Sequence, residues 1–458
     1  MIKLDMNLGP ADLADPIGRL WHYSAAKILS IERTCTAREP APVFTVEGRY
    51  TAQGWTEWTQ GFQLGSALLQ FDATGDESFL QIGRDNTHER MASHVSNASV
   101  HDHGFNNIST YGNLRRLMIE GLIKPHDPDQ RLYELALKIS GAVQASRWSQ
   151  TLDGGGFIYS FNGPHSLFID TIRSLRSLAL AHALGHRPTG ENDEPINLLE
   201  RLIQHARATA RYNVYQGEGR DIYDRRGRVA HESLFNTNDG RYRCPSTQQG
   251  YAPVSTWTRG LAWAMLGFAE LLEFLPAVEA ELAPFGGRTA IEKMMLSAAS
   301  ATCDFYIDNT PPDGVPYWDT EAPGLVQLGN YLDRPADPFN EHEPVDSSAA
   351  AIAAQGLLRL GHVLGVKAGR RYWQAGLTVL RTLLAEPYFT ADPQHQGLLL
   401  HALYHRPRGW DHVPDGSKVP CGEACMWGDY HLREAALYVQ RIVREEPYYS
   451  FFGPRAGR

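Results

Sequence analysis

One arrangement of apolar and polar positions recurs along the chain. A polar or aromatic opening, often with glycine, leads into a segment that is apolar around most of a helical circumference and rich in small residues. It occurs at "WTQGFQLGSALLQF" from Trp58, "YGNLRRLMIEGL" from Tyr111 and "DTIRSLRSLALAHALG" from Asp170. It returns at "WTRGLAWAMLGFAELL" from Trp257, "DSSAAAIAAQGLLRLG" from Asp346 and "WGDYHLREAALYVQ" from Trp427. A helix apolar on nearly all sides belongs in an interior. Between these run segments with charge confined to one face, such as "PIGRLWHYSAAKILSIE", "QRLYELALKISGAVQ" and "RRYWQAGLTVLRTLLAE". Their period is that of a helix half in water.

Six inner candidates alternate with six outer ones. The pattern predicts an all-α fold, an (α/α)6 barrel of six inner and six outer helices, forming a single domain over residues 1–458. The openings are too unevenly spaced for a strict solenoid repeat, and no Ser/Gly linker or charge run divides the chain. Strands are not evident. In such a barrel the inner helices run the same way, so their N-terminal ends gather at one mouth.

Bulk properties narrow the function. The net charge is −9, against the basic balance of a nucleic-acid binder. The opening residues lack the apolar core and small-residue cleavage site of a signal peptide. The most apolar stretch, "LAWAMLGFAELLEFL", is interrupted by Glu270 and Glu273 and reads as too short to cross a bilayer. A cytoplasmic protein without a membrane partner is expected. The five cysteines, Cys35, Cys244, Cys303, Cys421 and Cys425, are scattered and odd in number, unlike a disulfide framework. Cys421 and Cys425 lack the second pair that a zinc site requires. Neither a metal nor a cofactor is expected.

Candidate chemistry collects at the openings of the inner helices: Trp58, Asp170, Trp257, Arg259, Asp346, Trp427 and Asp429. Asp346 and Asp429 read as N-caps. Asp170 follows Leu167, Phe168 and Ile169, an apolar setting that would raise its pKa and keep a general acid protonated near neutrality; it suits a cap equally well. In "HDHGFNN", an extended backbone would point His101 and His103 one way and Asp102 the other. A metal site there would need further ligands such as His94 or His231. The alternative is that Asp102 and Asp170 face one cavity, which drives their pKa values apart and suits glycoside chemistry.

The segments "HDHGF", "FIDT", "QGYAPVSTWTRGLAWAMLGFAE", "PVDSSAAAIAAQGLLRL" and "WGDYHLREAAL" come in one order from about Trp55 to Tyr438. Together they resemble the unsaturated glucuronyl hydrolases of glycoside hydrolase family 88. The resemblance implies an (α/α)6 barrel and a small acidic oligosaccharide substrate, left by polysaccharide lyases with a C4=C5 double bond in its terminal uronic acid. It implies hydration of that bond and opening of the hemiketal to release the remaining sugar. By motif, Asp170 resembles the general acid/base and Asp102 its partner. Trp58, His101, His231, Gln249, Trp257 and Arg259 fall where the family lines the subsite for the unsaturated sugar, with His103 as a packing group. Arg259 is suited to hold an anion or to pair with an acidic neighbour.

Pro253, Val254, His103 and the insert at 235–247 depart from the family pattern and bear on the aglycone. Ser417 and Lys418 are candidates for a sulfate or carboxylate on the next sugar, or for a solvated loop. Three other readings remain at this point: a rhamnogalacturonyl hydrolase of the family 105 type, an N-acylglucosamine 2-epimerase-like isomerase with histidine bases, and a sugar-binding relative that has lost activity. The oligomeric state, monomer or homodimer, is left open.

Overall fold

The computed structural model describes residues 1–35, 41–52 and 57–452; the Trp55 end of the resemblance lies outside them. The inner helices are Gln60–Thr74, residues 103–119, residues 171–183, Thr258–Phe274, Ser347–Ala368 and Met426–Val443. Each packs on the next, and the last returns to the first, closing a ring. The outer helices are Ala14–Thr34, Glu77–Arg90, Asp127–Ser146, Leu198–Ala208, Gly287–Asn309 and Arg370–Leu383. This is the (α/α)6 barrel expected from the alternation. Burial follows the same division. Every residue of Thr258–Phe274 is buried, whereas Ala14–Thr34 buries only one face.

Two inner helices, Thr258–Glu281 with its following turn and Ser347–Ala368, are in fact long and apolar enough to cross a membrane. Length therefore does not exclude a span as the sequence suggested. In their most apolar windows 89% and 72% of residues are buried inside the barrel, so the apolarity is that of a core.

Close approach between inner helices depends on glycine. A Cβ on Gly61 would fall 2.4 Å from the Asn106 backbone, and one on Gly104 would fall 2.1 Å from the Ser174 carbonyl oxygen. Charges are also buried between the inner helices. Arg173 meets Glu270 and Glu434 at 2.9 Å each, and Arg359 meets Glu273 at 2.7 Å. Isolated, these groups would be prohibitively costly to bury; paired, they fix which helix faces which.

Three details differ from the pattern. The second inner helix begins at His103 rather than Tyr111, passing through a π turn at Ile108–Gly112. Its first turn, "HGFNN", is buried through hydrogen bonds rather than apolar side chains: Asn106 accepts from the Gly61 amide at 2.8 Å, and Asn107 donates to Ser140. That polarity hid it from a hydrophobic count. Asp429 is no cap, because its helix opens at Met426. Its carboxylate accepts the Leu398 and Leu399 amides and the Tyr50 hydroxyl. Asp346 does cap its helix, accepting from Ser348 and Ala349.

Short strands are present as well. Ser166–Phe168, Glu232–Phe235 and Tyr242–Ser246 form an antiparallel sheet in that order. The insert at 235–247 supplies its last hairpin.

Candidate active site

The sheet sets the positions of two site residues. Phe168 pairs with Glu232, and the Ile169 amide donates to the His231 carbonyl at 3.0 Å. Asp170 follows at once, at the start of the short helix Thr171–Ser174. On the neighbouring inner helix Asp102 occupies the corresponding place, directly before His103. The two openings are tied together behind the carboxylates. Ser174 donates to the His101 carbonyl at 2.7 Å and accepts from the Gly104 amide at 2.8 Å, and Gln144 donates to the same carbonyl.

His101 and Asp102 therefore both serve one cavity, and the extended geometry imagined for "HDH" does not occur. His101 Nε2 donates to Asp170 Oδ1 at 3.1 Å and lies 3.7 Å from Asp102 Oδ1. Its ring is sandwiched by Phe161, stacked at 6.1 Å, and the edge of Phe168. His103 points away, with its nitrogens engaged by Ser140 and the Asn97 carbonyl. Burial holds His103 near pKa 4, which fits a packing role.

The charge distribution reverses one expectation. Burial does push Asp170 upward, but the charge and hydrogen bond of His101, the charge of His231 and the Thr171 amide outweigh it, and its pKa is lowered. Asp102 is the carboxyl that burial raises, with the His101 charge only partly offsetting it and Asp170 adding to it. His101 is pulled down by burial, yet the two carboxylates prevail and raise it. The pKa values of the pair do separate, with Asp102 raised and Asp170 lowered, and the carboxylates favour the protonated form of His101.

A cavity of about 550 Å³ opens over this cluster, and its lining includes Trp58, His101, Asp102, Asp170, Gln249, Trp257 and Arg259. Seven of the eight residues singled out in the sequence thus meet there. Trp58 stacks on Trp427 with ring centroids 4.9 Å apart, leaving it half-buried at the wall. His231 stands behind the lining, with its ring 4.6 Å from that of Trp257. Its Nδ1 accepts the Gln248 amide at 3.1 Å, so in the neutral ring the proton is on Nε2. Burial lowers its pKa to about 4.

Arg259 is occupied by the protein itself. It donates to Asp346 at 2.8 Å, to the Leu403 and Tyr404 carbonyls and to Gln249 Oε1, and it lies over the Trp257 ring. Of the two roles open to it, pairing with an acidic neighbour is the one observed. With Gln249 Oε1 taken up, the amide Nε2 is the end left to face a ligand.

No family model matches the chain. It is 26% identical over 396 residues to an unsaturated glucuronyl hydrolase of Formosa agariphila, covering 84% of this chain and 81% of the relative. It is also 26% identical to the unsaturated glucuronyl hydrolase of Bacillus sp. strain GL1, covering 86% of this chain and 89% of that one. The crystal structure of the unsaturated glucuronyl hydrolase from Bacillus sp. GL1 superposes with a TM-score of 0.70 over 96% of this chain and 99% of the other, at 23% identity. Over most of its length the chain is similar to the unsaturated glucuronyl hydrolases.

It is a glycoside hydrolase with the (α/α)6 barrel of those enzymes. Several cavity residues of this unsaturated glucuronyl hydrolase fold were not singled out in the sequence: Phe161, Tyr404, His405 and Arg408. They lie on loops between helices, where no periodicity marks them. Arg408 is exposed and pairs with no carboxylate among the described residues. The candidates Ser417 and Lys418 are not in the cavity lining; Lys418 pairs with Glu341 on the surface at 2.5 Å.

Proposed function

We propose that the enzyme hydrates the C4=C5 double bond of a non-reducing-end unsaturated uronic acid on small, lyase-generated oligosaccharides. The observation that carries this reading is His101 standing between Asp102 and Asp170 against a cavity of disaccharide size. The relatives' names agree, and the Bacillus protein is described as responsible for degradation of glycosaminoglycan.

The resting charges suggest how the proton travels. Entry of the uronate carboxylate adds negative charge beside the pair and raises carboxyl pKa values. A proton then passes from His101 Nε2 to Asp170 Oδ1 across their hydrogen bond. Asp170 protonates C4 as the π electrons form the new C–H bond, and the ring oxygen shares the positive charge left at C5. The Asp170 carboxylate takes a proton from the water that attacks C5, restoring the acid. Asp102, facing the same imidazole, stabilises the cation as its carboxylate. The hemiketal opens to a C5 ketone, which leaves C1 a hemiacetal that releases the aglycone.

The test is ultraviolet absorbance on a panel of lyase-generated disaccharides from glycosaminoglycans, pectin and ulvan. Hydration destroys the absorbing alkene–carboxylate. Loss of absorbance with wild type and none with Asp170→Asn establishes the reaction, and the best substrate names the glycan class. Absence of any loss across the panel overturns the reading.

A further inference from the structure

The loop that leads from Tyr404 to Asp411, "YHRPRGWD", is closed by its own last residue. One oxygen of the half-buried Asp411 carboxylate accepts the Tyr404 amide and the other accepts the His405 amide at 2.8 Å. Between these ends the chain makes a 3-10 turn at Arg406–Arg408 and reverses at Gly409, in the left-handed region with φ 62°. The result is a ring of backbone held by a carboxylate that bridges two successive N–H groups, a geometry that fixes both peptide planes.

Each face of this ring meets the site. On the inner face the Tyr404 peptide is gripped from both sides, its N–H by Asp411 and its carbonyl by Arg259 at 2.7 Å. The Leu403 carbonyl also accepts from Arg259, and the Leu403 amide reaches Asp346 at 3.4 Å. Arg259 in turn holds Gln249 at 2.8 Å. On the other face Tyr404, His405 and Arg408 line the cavity. Burial pushes the Asp411 carboxyl up to about 6, while the two amides and Arg259 pull against that rise and Asp346 adds to it.

We propose that Asp411 is a positioning residue for sugar binding, acting through the Tyr404 peptide to fix Arg259, and through Arg259 the amide of Gln249. This rests on the reading of the cavity as the sugar site. Asp411 makes no contact with the dyad, so its removal loosens the binding wall and leaves the proton path in place. The effect belongs in KM rather than kcat.

Two variants and two readouts test this. Asp411→Ala removes both acceptors. Asp411→Asn keeps the shape but turns an N–H donor toward one amide. KM on the best unsaturated disaccharide should rise about tenfold for Asp411→Ala and less for Asp411→Asn, with kcat within about twofold of wild type. Hydrogen exchange of the Tyr404 and His405 amides should accelerate at least tenfold in both variants, a readout that needs no substrate. Unchanged KM in a folded variant, or an equal fall in kcat and kcat/KM, overturns the positioning role. Unchanged exchange overturns the clasp itself. If Asp411→Ala fails to fold, Asp411→Asn carries both tests. Lack of turnover by wild type would instead count against the proposed reaction, and the exchange result would still decide the clasp.

Discussion

Asp170 accepts a hydrogen bond from His101 at 3.1 Å, and this contact, with the His101 and His231 charges and the Thr171 amide, lowers the carboxyl that burial alone would have raised. In the proposed reaction Asp170→Asn removes the group that passes the proton to C4. Its kcat should fall by about 10²–10⁴-fold, the usual worth of a general acid/base. Binding of an unsaturated disaccharide, followed by tryptophan fluorescence, should persist.

His101 sets the alkaline limit of activity. Its pKa lies above the ordinary 6.5 because two carboxylates face it. Turnover should fall as pH rises through that elevated value, and His101→Gln should abolish this limb. The same group links pH to stability. A folded-state pKa above the unfolded one contributes stability that is fully present below pH 6.5 and is lost as pH rises through the folded value. Melting temperatures of wild type and His101→Gln should therefore converge at alkaline pH.

Gly104 admits no side chain. Gly104→Ala would place a methyl 2.1 Å from the Ser174 carbonyl oxygen, where backbone and not a flexible side chain must yield. Overpacking of this kind costs roughly 1–3 kcal/mol. Because it separates the openings that carry Asp102 and Asp170, kcat should drop along with the melting temperature.

Arg259 and Asp346 are buried together at 2.8 Å. Arg259→Leu strands a buried carboxylate and should destabilise by about 3–5 kcal/mol in urea unfolding. Asp346→Asn retains an oxygen for the helix cap while discarding the charge, and should cost less.

Arg408 stands in the cavity lining without a carboxylate partner among the described residues. Arg408→Ala should raise KM roughly 3–10-fold for disaccharides with a sulfated or carboxylated aglycone, and this loss should shrink at high salt. A neutral aglycone should be little affected. Equal effects on both would remove Arg408 from substrate selection.

The sequence was most informative where apolar periodicity governs packing. Six inner and six outer helices alternate as the pattern predicts, with the second inner one starting early at His103, since a helix buried on every side admits few polar residues. The first turn of the second inner helix escaped notice because Asn106 and Asn107 are buried through hydrogen bonds. Asp170 was recognisable by its apolar neighbours, but not the direction of its shift. That depends on His101, distant in sequence and adjacent only once the barrel closes. Arg408 and Asp411 carried no periodic signal, because they sit in a loop and Asp411 binds backbone amides rather than side chains.

The stack of Trp58 on Trp427 joins the first inner helix to the last. Trp58, which lines the cavity, is therefore backed by a residue that a ribosome makes near the finish of this stretch of chain. Five inner helices can collapse on one another as they emerge, and Trp58 can meet Phe62 and Phe105 early, yet its stack on Trp427 waits until Met426–Val443 is delivered. The contact closes a very long loop, a slow kind of step in folding. Enzymatic competence should thus appear late and all at once, as the final helix slots into a ring already waiting for it.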